Sequence, residues 1–409
     1  MKLLHYCGLL NGYSTLSNTS MKTSFLTLTL LFAGQLAFAQ YNPEKPDLCQ
    51  GKFFTEEDAK NLHADFAKRY SDKKSWQKHA QEIKQGILDG AELSNYEFKK
   101  PTNIVIHSKK DLNGYSVENV SFQSIEGIYV TGNLYRPAQS SKGKNAGILC
   151  PHGHGPDPRF AAYTQQRCAT LARMGAVVFA YDMIGVGDSK QSIHKIEKAL
   201  KLQIINSKAV LDFLLDLPNI DKNRIGMTGE SGGGTQTFIL SAIDDRIKVS
   251  VPVVMVSGYF FGGCVCESGM PIHKRPTHQT TNVEIAATFA PKPMLLISDG
   301  GDWTVNTPTM EYPYIKNVYS HFGAADKVEN VHLANEKHDY GPSKRQAAYP
   351  FLAKYLKLDL QKVMVDGKID ESANKVLTQT ELQVFDEKHP RPSNAVMGDA
   401  EVMALLEKK

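Results

Sequence analysis

The sequence predicts an α/β fold, with a mostly parallel central sheet, helices on both faces and a helical N-terminal extension. Two observations predict it. Short continuous apolar runs at 146–150, 176–181, 224–228, 249–256, 293–298 and 328–334 alternate with helical spacing near 160–174, 196–217, 233–242, 312–322 and 343–356. Apolar runs without polar alternation suit strands buried on both faces, the condition of a parallel sheet between two helix layers. The second observation is a Gly-x-Ser-x-Gly turn, Gly229 to Gly233, lying between one such strand and the next helix.

Taken in order, the chain opens with an expected export leader. Met21-Lys22 precedes an apolar run at 25–38 that ends in Ala37-Phe38-Ala39, as signal peptidase requires. Residues 1–39 are therefore read as a leader that starts at Met21 and is cut after Ala39. The apolar run is too short to span a bilayer comfortably, so no stable membrane insertion is expected. Residues 40–100 carry helical spacing at 56–70 and 76–88 and form the extension. The alternating segment 115–122 and its neighbour 127–135 predict an antiparallel hairpin at a sheet edge. The catalytic domain is expected over 101–358 and a polar tail over 359–409. Within that tail, the segment around Val384 and Phe385 is expected to lie against the core surface.

Composition narrows the function. The net charge of +4 is small and dispersed, with no basic run and no aromatic RNA-binding signature, so a nucleic-acid partner is not expected. An exported chain that loses Cys7 keeps Cys49, Cys150, Cys168, Cys264 and Cys266, an odd set. Cys150 and Cys168 read as buried thiols. A disulfide from Cys49 to Cys264 or Cys266 is the expectation for the loops, since a bridge within Cys-x-Cys is strained.

The chemistry centres on Ser231. A serine on a sharp strand-to-helix turn is held in a strained conformation with its hydroxyl projecting, and the following helix turns its N-terminus toward developing negative charge. The turn lacks the lysine of a phosphate-binding loop and the spacing of a dinucleotide fingerprint. A serine hydroxyl needs a base, and in this arrangement acid and then histidine follow the serine along the chain. His338, between the last strand and the last helix, is the candidate base, while His332 falls inside the strand. Asp302, after the run 293–298, is the candidate acid; Asp299 is read as capping the turn, and Glu267 is the alternative acid. The oxyanion needs two backbone amides, assigned to Gly232 and to His154 in the loop Pro151-His-Gly-His-Gly. His152 and His154 are not expected to form a metal pair. A ligand set of Cys264, Cys266, His273 and His278 is conceivable, but it has none of the usual zinc spacings, so no metal and no organic cofactor are expected.

These residues resemble the acetylxylan esterase-like branch of the α/β-hydrolase superfamily, found among exported bacterial proteins. The resemblance runs from about residue 115 to 358. It is carried by Pro151-His-Gly-His-Gly, by the run from Tyr181 to Ser189, and by Gly229-Glu-Ser-Gly-Gly. Gly263-Cys-Val-Cys-Glu, Ala290-Pro-Lys-Pro, Asp302-Trp-Thr and Glu336-Lys-His-Asp-Tyr-Gly complete it. It implies hydrolysis of ester bonds, often acetyl esters of plant polysaccharides, with Ser231, Asp302 and His338 as triad. The expected partner is a small-molecule or polysaccharide ester. Alternatives are a glucuronoyl esterase, an oligopeptidase-type serine hydrolase, for which the extension is too short to form a propeller, and an inactive binding module on the same fold.

Overall fold

The computed structural model describes residues 42, 46–138, 143–156 and 158–407. The expected leader at 1–39 lies outside them. Two helices come first, α1 (Glu56–Phe66) and α2 (Lys73–Gly90). Asp72 and Ser75 form a capping box that fixes the start of α2, whose Trp76, Ile83 and Ile87 face the core. Strands β1 (Thr102–Leu112), β2 (Tyr115–Ile125), β3 (Ile128–Pro137) and β4 (Asn145–Cys150) follow, then α3 (Ala162–Arg173), β5 (Ala176–Tyr181) and α4 (Ala199–Asp216). Next come β6 (Ile220–Glu230), α5 (Gly232–Ile243), β7 (Val249–Val253) and the short α6 (Val265–Ser268). A ribbon of β8 (Lys274–Arg275) and β9 (His278–Gln279) leads to α7 (Asn282–Ala287), β10 (Met294–Asp299), α8 (Glu311–Ser320), β11 (Val328–Leu333) and α9 (Pro342–Leu356).

The nine-stranded sheet has the order β1-β2-β3-β5-β4-β6-β7-β10-β11. From β5 to β11 every pairing is parallel, while β1, β2 and β3 add antiparallel strands on one side. The expected α/β fold is therefore present. Helices α4 and α5 cover one face with an apolar cluster that takes in Trp76, Phe122, Phe213 and Phe238; α3 and α9 cover the other, around Ile148, Val251, Leu352 and Leu356.

One expectation needs correction. The hairpin β2–β3 is not the sheet edge, because β1 pairs outside it through two register shifts. β1 carries Ile104, Val105 and Ile106 largely exposed beside a polar stretch, so its residues lack the alternation that marks a half-buried strand. The tail segment around Val384 lies against the core, as expected. Leu382 and Val384 are fully buried, and the Leu382 carbonyl accepts from Asn133 Nδ2 at 3.0 Å and from Arg159 Nη1 at 3.2 Å. Arg159 is itself buried against Asp182 (2.7 Å) and Asp188 (2.6 Å), and Asp188 also accepts from the Val384 amide at 2.9 Å. The tail thus closes over a desolvated charge cluster that would otherwise face water. Helices α10 (Gln379–Leu382) and α11 (Asp399–Glu407) belong to this segment.

Candidate active site

The turn from β6 to α5 places Ser231 at φ 54° and ψ −123°, a region that side-chain-bearing residues avoid. Its neighbours must be small. A Cβ on Gly229 would lie 2.6 Å from the Pro151 carbonyl oxygen, and one on Gly233 would lie 2.9 Å from the His152 carbonyl carbon. The flanking glycines therefore let the elbow sit against the loop after β4.

Glu230 turns inward beneath that loop. One carboxylate oxygen accepts from the Gly153 amide at 2.9 Å, and the other pairs with Arg167 at 2.9 Å. Arg167 also donates to the Pro151 carbonyl at 3.3 Å and stacks 4.4 Å from the Tyr340 ring centre. Tyr340 OH meets Thr228 Oγ1 at 2.8 Å. A buried knot thus joins the elbow, the loop after β4, α3 and the loop that carries His338. The sequence reading missed it. The available signal was a charged residue inside an otherwise buried turn.

His338 and Asp302 come together, with Nδ1 of the ring 2.6 Å from Oδ2. The Asp302 side chain is 2% exposed, and its other oxygen accepts from the amide and hydroxyl of Thr304, each at 2.6 Å. The carboxylate is thus oriented from both sides, and a carboxylate at that distance keeps the ring proton on Nδ1. Trp303 packs 4.5 Å from the His338 ring and stacks on Phe260 at 3.9 Å and 17°. Asp299 instead accepts from the Gly301 amide at 3.0 Å and pairs with buried Lys344 at 3.2 Å. Burial, and then the charge of Asp302, raise its carboxyl above the usual range. His332 is held by Ser298 at 2.9 Å within the strand pair.

The remaining candidates separate. Glu267 is buried, accepts from the Cys264 amide at 3.1 Å and from Thr235 Oγ1 at 3.4 Å, and so caps α6. Burial raises its carboxyl above the ordinary value. The rings of His152 and His154 diverge. His152 is buried and accepts from the Met183 amide at 3.3 Å, whereas His154 Nε2 lies 3.1 Å from His194 Nε2 and 3.2 Å from Cys266 Sγ. His154, His194, Cys264 and Cys266 bring four ligand atoms within 4.8 Å of one another. His273 and His278 point elsewhere, to Asn282 Oδ1 at 2.8 Å and to the Ile272 carbonyl at 3.1 Å. The five cysteines among the described residues are unbridged and buried, so the expected disulfide from Cys49 is absent. Both thiols of the Cys-x-Cys segment belong to the histidine cluster instead. Among the described residues no helix is long and apolar enough to cross a membrane.

No protein-family model matches the chain. Two curated relatives match it over 36% and 43% of their own lengths; the first, an uncharacterized protein of Pseudomonas aeruginosa, PA2218, is 27% identical over 138 residues, 33% of this chain. Among solved structures, a glucuronoyl esterase from Solibacter usitatus shares the fold at TM-score 0.53 and 15% identity, over 70% of this chain and 94% of that one. The methylesterase BT1017 is much nearer, with TM-score 0.80 and 38% identity over 87% of this chain and 79% of that one. The resemblance read from the elbow and loop motifs therefore stands, and the chain belongs to the family of methylesterase BT1017, within the α/β-hydrolase carbohydrate esterases.

Proposed function

We propose that this protein is an exported serine esterase that hydrolyses carboxylic esters of carbohydrates, with methyl esters of sugar carboxylates as the preferred class. The observation that carries the reading is the 2.6 Å pair of His338 and Asp302, on the strand ends that follow the Ser231 elbow. Ser231 is the nucleophile. His338, with its proton held on Nδ1, offers Nε2 as general base and later as general acid. Asp302 orients the ring and stabilises its charged form.

The oxyanion is received by backbone amides. The Gly153 amide is already engaged by Glu230, so the next amide along, that of His154, is assigned with that of Gly232. Attack on the ester carbonyl expels the alcohol, which takes its proton from His338; water then releases the acid from the acyl-enzyme. The stacked faces of Phe260 and Trp303 beside His338 supply an apolar platform for a sugar ring. The likeness to a methylesterase favours methyl over acetyl esters.

The test is a substrate panel on the mature protein: a methyl-esterified uronic-acid polysaccharide, acetylated xylan, an aryl acetate and an aminoacyl anilide. Methanol release exceeding acetate release supports the reading. Preference for acetylated xylan restores the acetyl assignment, turnover of the anilide points to a peptidase, and inertness toward all four points to a binding module.

A further inference from the structure

We propose that His154, His194, Cys264 and Cys266 form a tetrahedral zinc site beside the nucleophile elbow. The four residues come from three separate loops, after β4, β5 and β7, yet their ligand atoms converge within 4.8 Å. The two histidine nitrogens are 3.1 Å apart, and one of them is 3.2 Å from Cys266 Sγ. A tetrahedral ion with Zn–N of about 2.0–2.1 Å and Zn–S of about 2.3 Å sets its ligands about 3.3–3.8 Å apart. The cluster therefore reaches ligand spacing with small adjustments.

The orientation of the ligands supports the same conclusion. His194 Nδ1 donates to the Ile184 carbonyl at 2.6 Å, so its Nε2 carries a lone pair aimed into the cluster. A backbone carbonyl that fixes the other ring nitrogen is the usual outer support of a metal-bound histidine. Glu267 accepts from the Cys264 amide and so holds the Cys-x-Cys segment with its thiols facing the histidines. Two thiolates and two neutral imidazoles compensate the charge of a divalent ion in a partly buried position. Binding displaces two thiol protons to solvent, and no oxidation is involved. Two sulfur and two nitrogen donors select zinc over hard, oxygen-seeking ions.

The position gives the ion its role. A Cβ on Gly232 would lie 2.7 Å from His154 Cε1, so the His154 ring packs against the residue following Ser231. With all four positions filled by protein, the ion has no place for water or substrate. Its work is to pin the loop Pro151-His-Gly-His-Gly to the elbow.

The experiment measures metal content on the full chain, purified under reducing conditions without chelator or affinity histidines. Elemental analysis is expected to find about one zinc per chain. Cobalt(II) in its place is expected to show a thiolate-to-cobalt charge-transfer band. His194→Gln, on a half-exposed loop, is expected to lower zinc affinity by more than the roughly 10- to 100-fold of an outer-shell change. Cys264→Ser is expected to abolish the charge-transfer contribution of that thiolate. Should Cys264→Ser fail to fold, His194→Gln and the cobalt spectrum of the unaltered chain still decide. Absence of zinc uptake, copper bound to the exclusion of zinc, or a Cys264–Cys266 disulfide in the exported protein would each overturn the proposal. Zinc content is read without turnover, so its outcome is independent of the substrate panel.

Discussion

The amide of Gly153 donates to the Glu230 carboxylate over 2.9 Å, tying the loop after β4 to the residue that precedes Ser231. The opposite oxygen of Glu230 neutralises Arg167, and both side chains are at most 5% exposed. Glu230→Gln keeps an acceptor for Gly153 but strands a buried guanidinium. Breaking a buried pair in this way costs about 3–5 kcal/mol. Urea unfolding of the variant measures it, and a change within about 0.5 kcal/mol would class the knot with ordinary surface contacts.

Ser231→Ala is expected to lower ester turnover on the order of 10³- to 10⁶-fold with the fold intact. The alanine keeps the unfavourable backbone at φ 54°, whereas glycine relaxes it. Strain of this kind is about 1–3 kcal/mol, and glycine gives back part of that through the entropy of the unfolded chain. Ser231→Gly should therefore be more stable than Ser231→Ala by roughly 1 kcal/mol. Thermal melts of the two inactive variants compare them directly.

Asp302→Asn and Glu267→Gln separate the two acids. The asparagine is expected to favour the wrong imidazole tautomer and to lower kcat on the order of 10⁴-fold. Glu267 serves the Cys264 amide and Thr235, so its glutamine should change kcat far less. Both are read on one small ester, with circular dichroism as the control. A greater loss in Glu267→Gln moves the acid to the earlier loop.

Glu311 supplies a pH dependence of stability. It opens α8 fully buried, accepts from the Gly258 amide at 3.0 Å, and is pushed up to about 7 by burial, with a smaller push from Glu56. The native state therefore keeps a proton that the unfolded chain releases near its ordinary value of 4.5. The stabilisation is complete below the unfolded value and is lost as pH rises through about 7. It amounts to at most about 3 kcal/mol. Glu311→Gln should remove this slope and so gain on the wild type between pH 5 and pH 8. Parallel melting curves for the two proteins across that range would contradict the assignment.

The parallel half of the sheet was legible because β4, β5, β7, β10 and the 225–230 half of β6 are short, buried and mainly apolar, and that pattern survives without knowledge of neighbours. The pairing of Asp302 with His338 was legible because chain order fixes which strand ends carry them. What escaped were features decided at long range. β1 is an exposed edge strand whose register depends on β2. The tail looks polar because its inward residues, Val363, Leu377, Leu382, Val384, Val402 and Leu406, are scattered, and the partners of the Leu382 carbonyl, Asn133 and Arg159, lie far back in the chain. His194 carried no spacing signal toward Cys264 and Cys266, since loops meeting in space leave no period in sequence. The segment near His273 and His278 had the closer spacing and was folded away from the thiols.

The closure of the charge cluster by the tail also orders events in time. Arg159, Asp182 and Asp188 are synthesised roughly two hundred residues before Leu382 and Val384, the segment that seals them from water. Until that last stretch has emerged, the sheet has an unsealed seam and cannot reach its final packing. A chain built this way delays its own completion until residues 382–384 are available to cover the cluster.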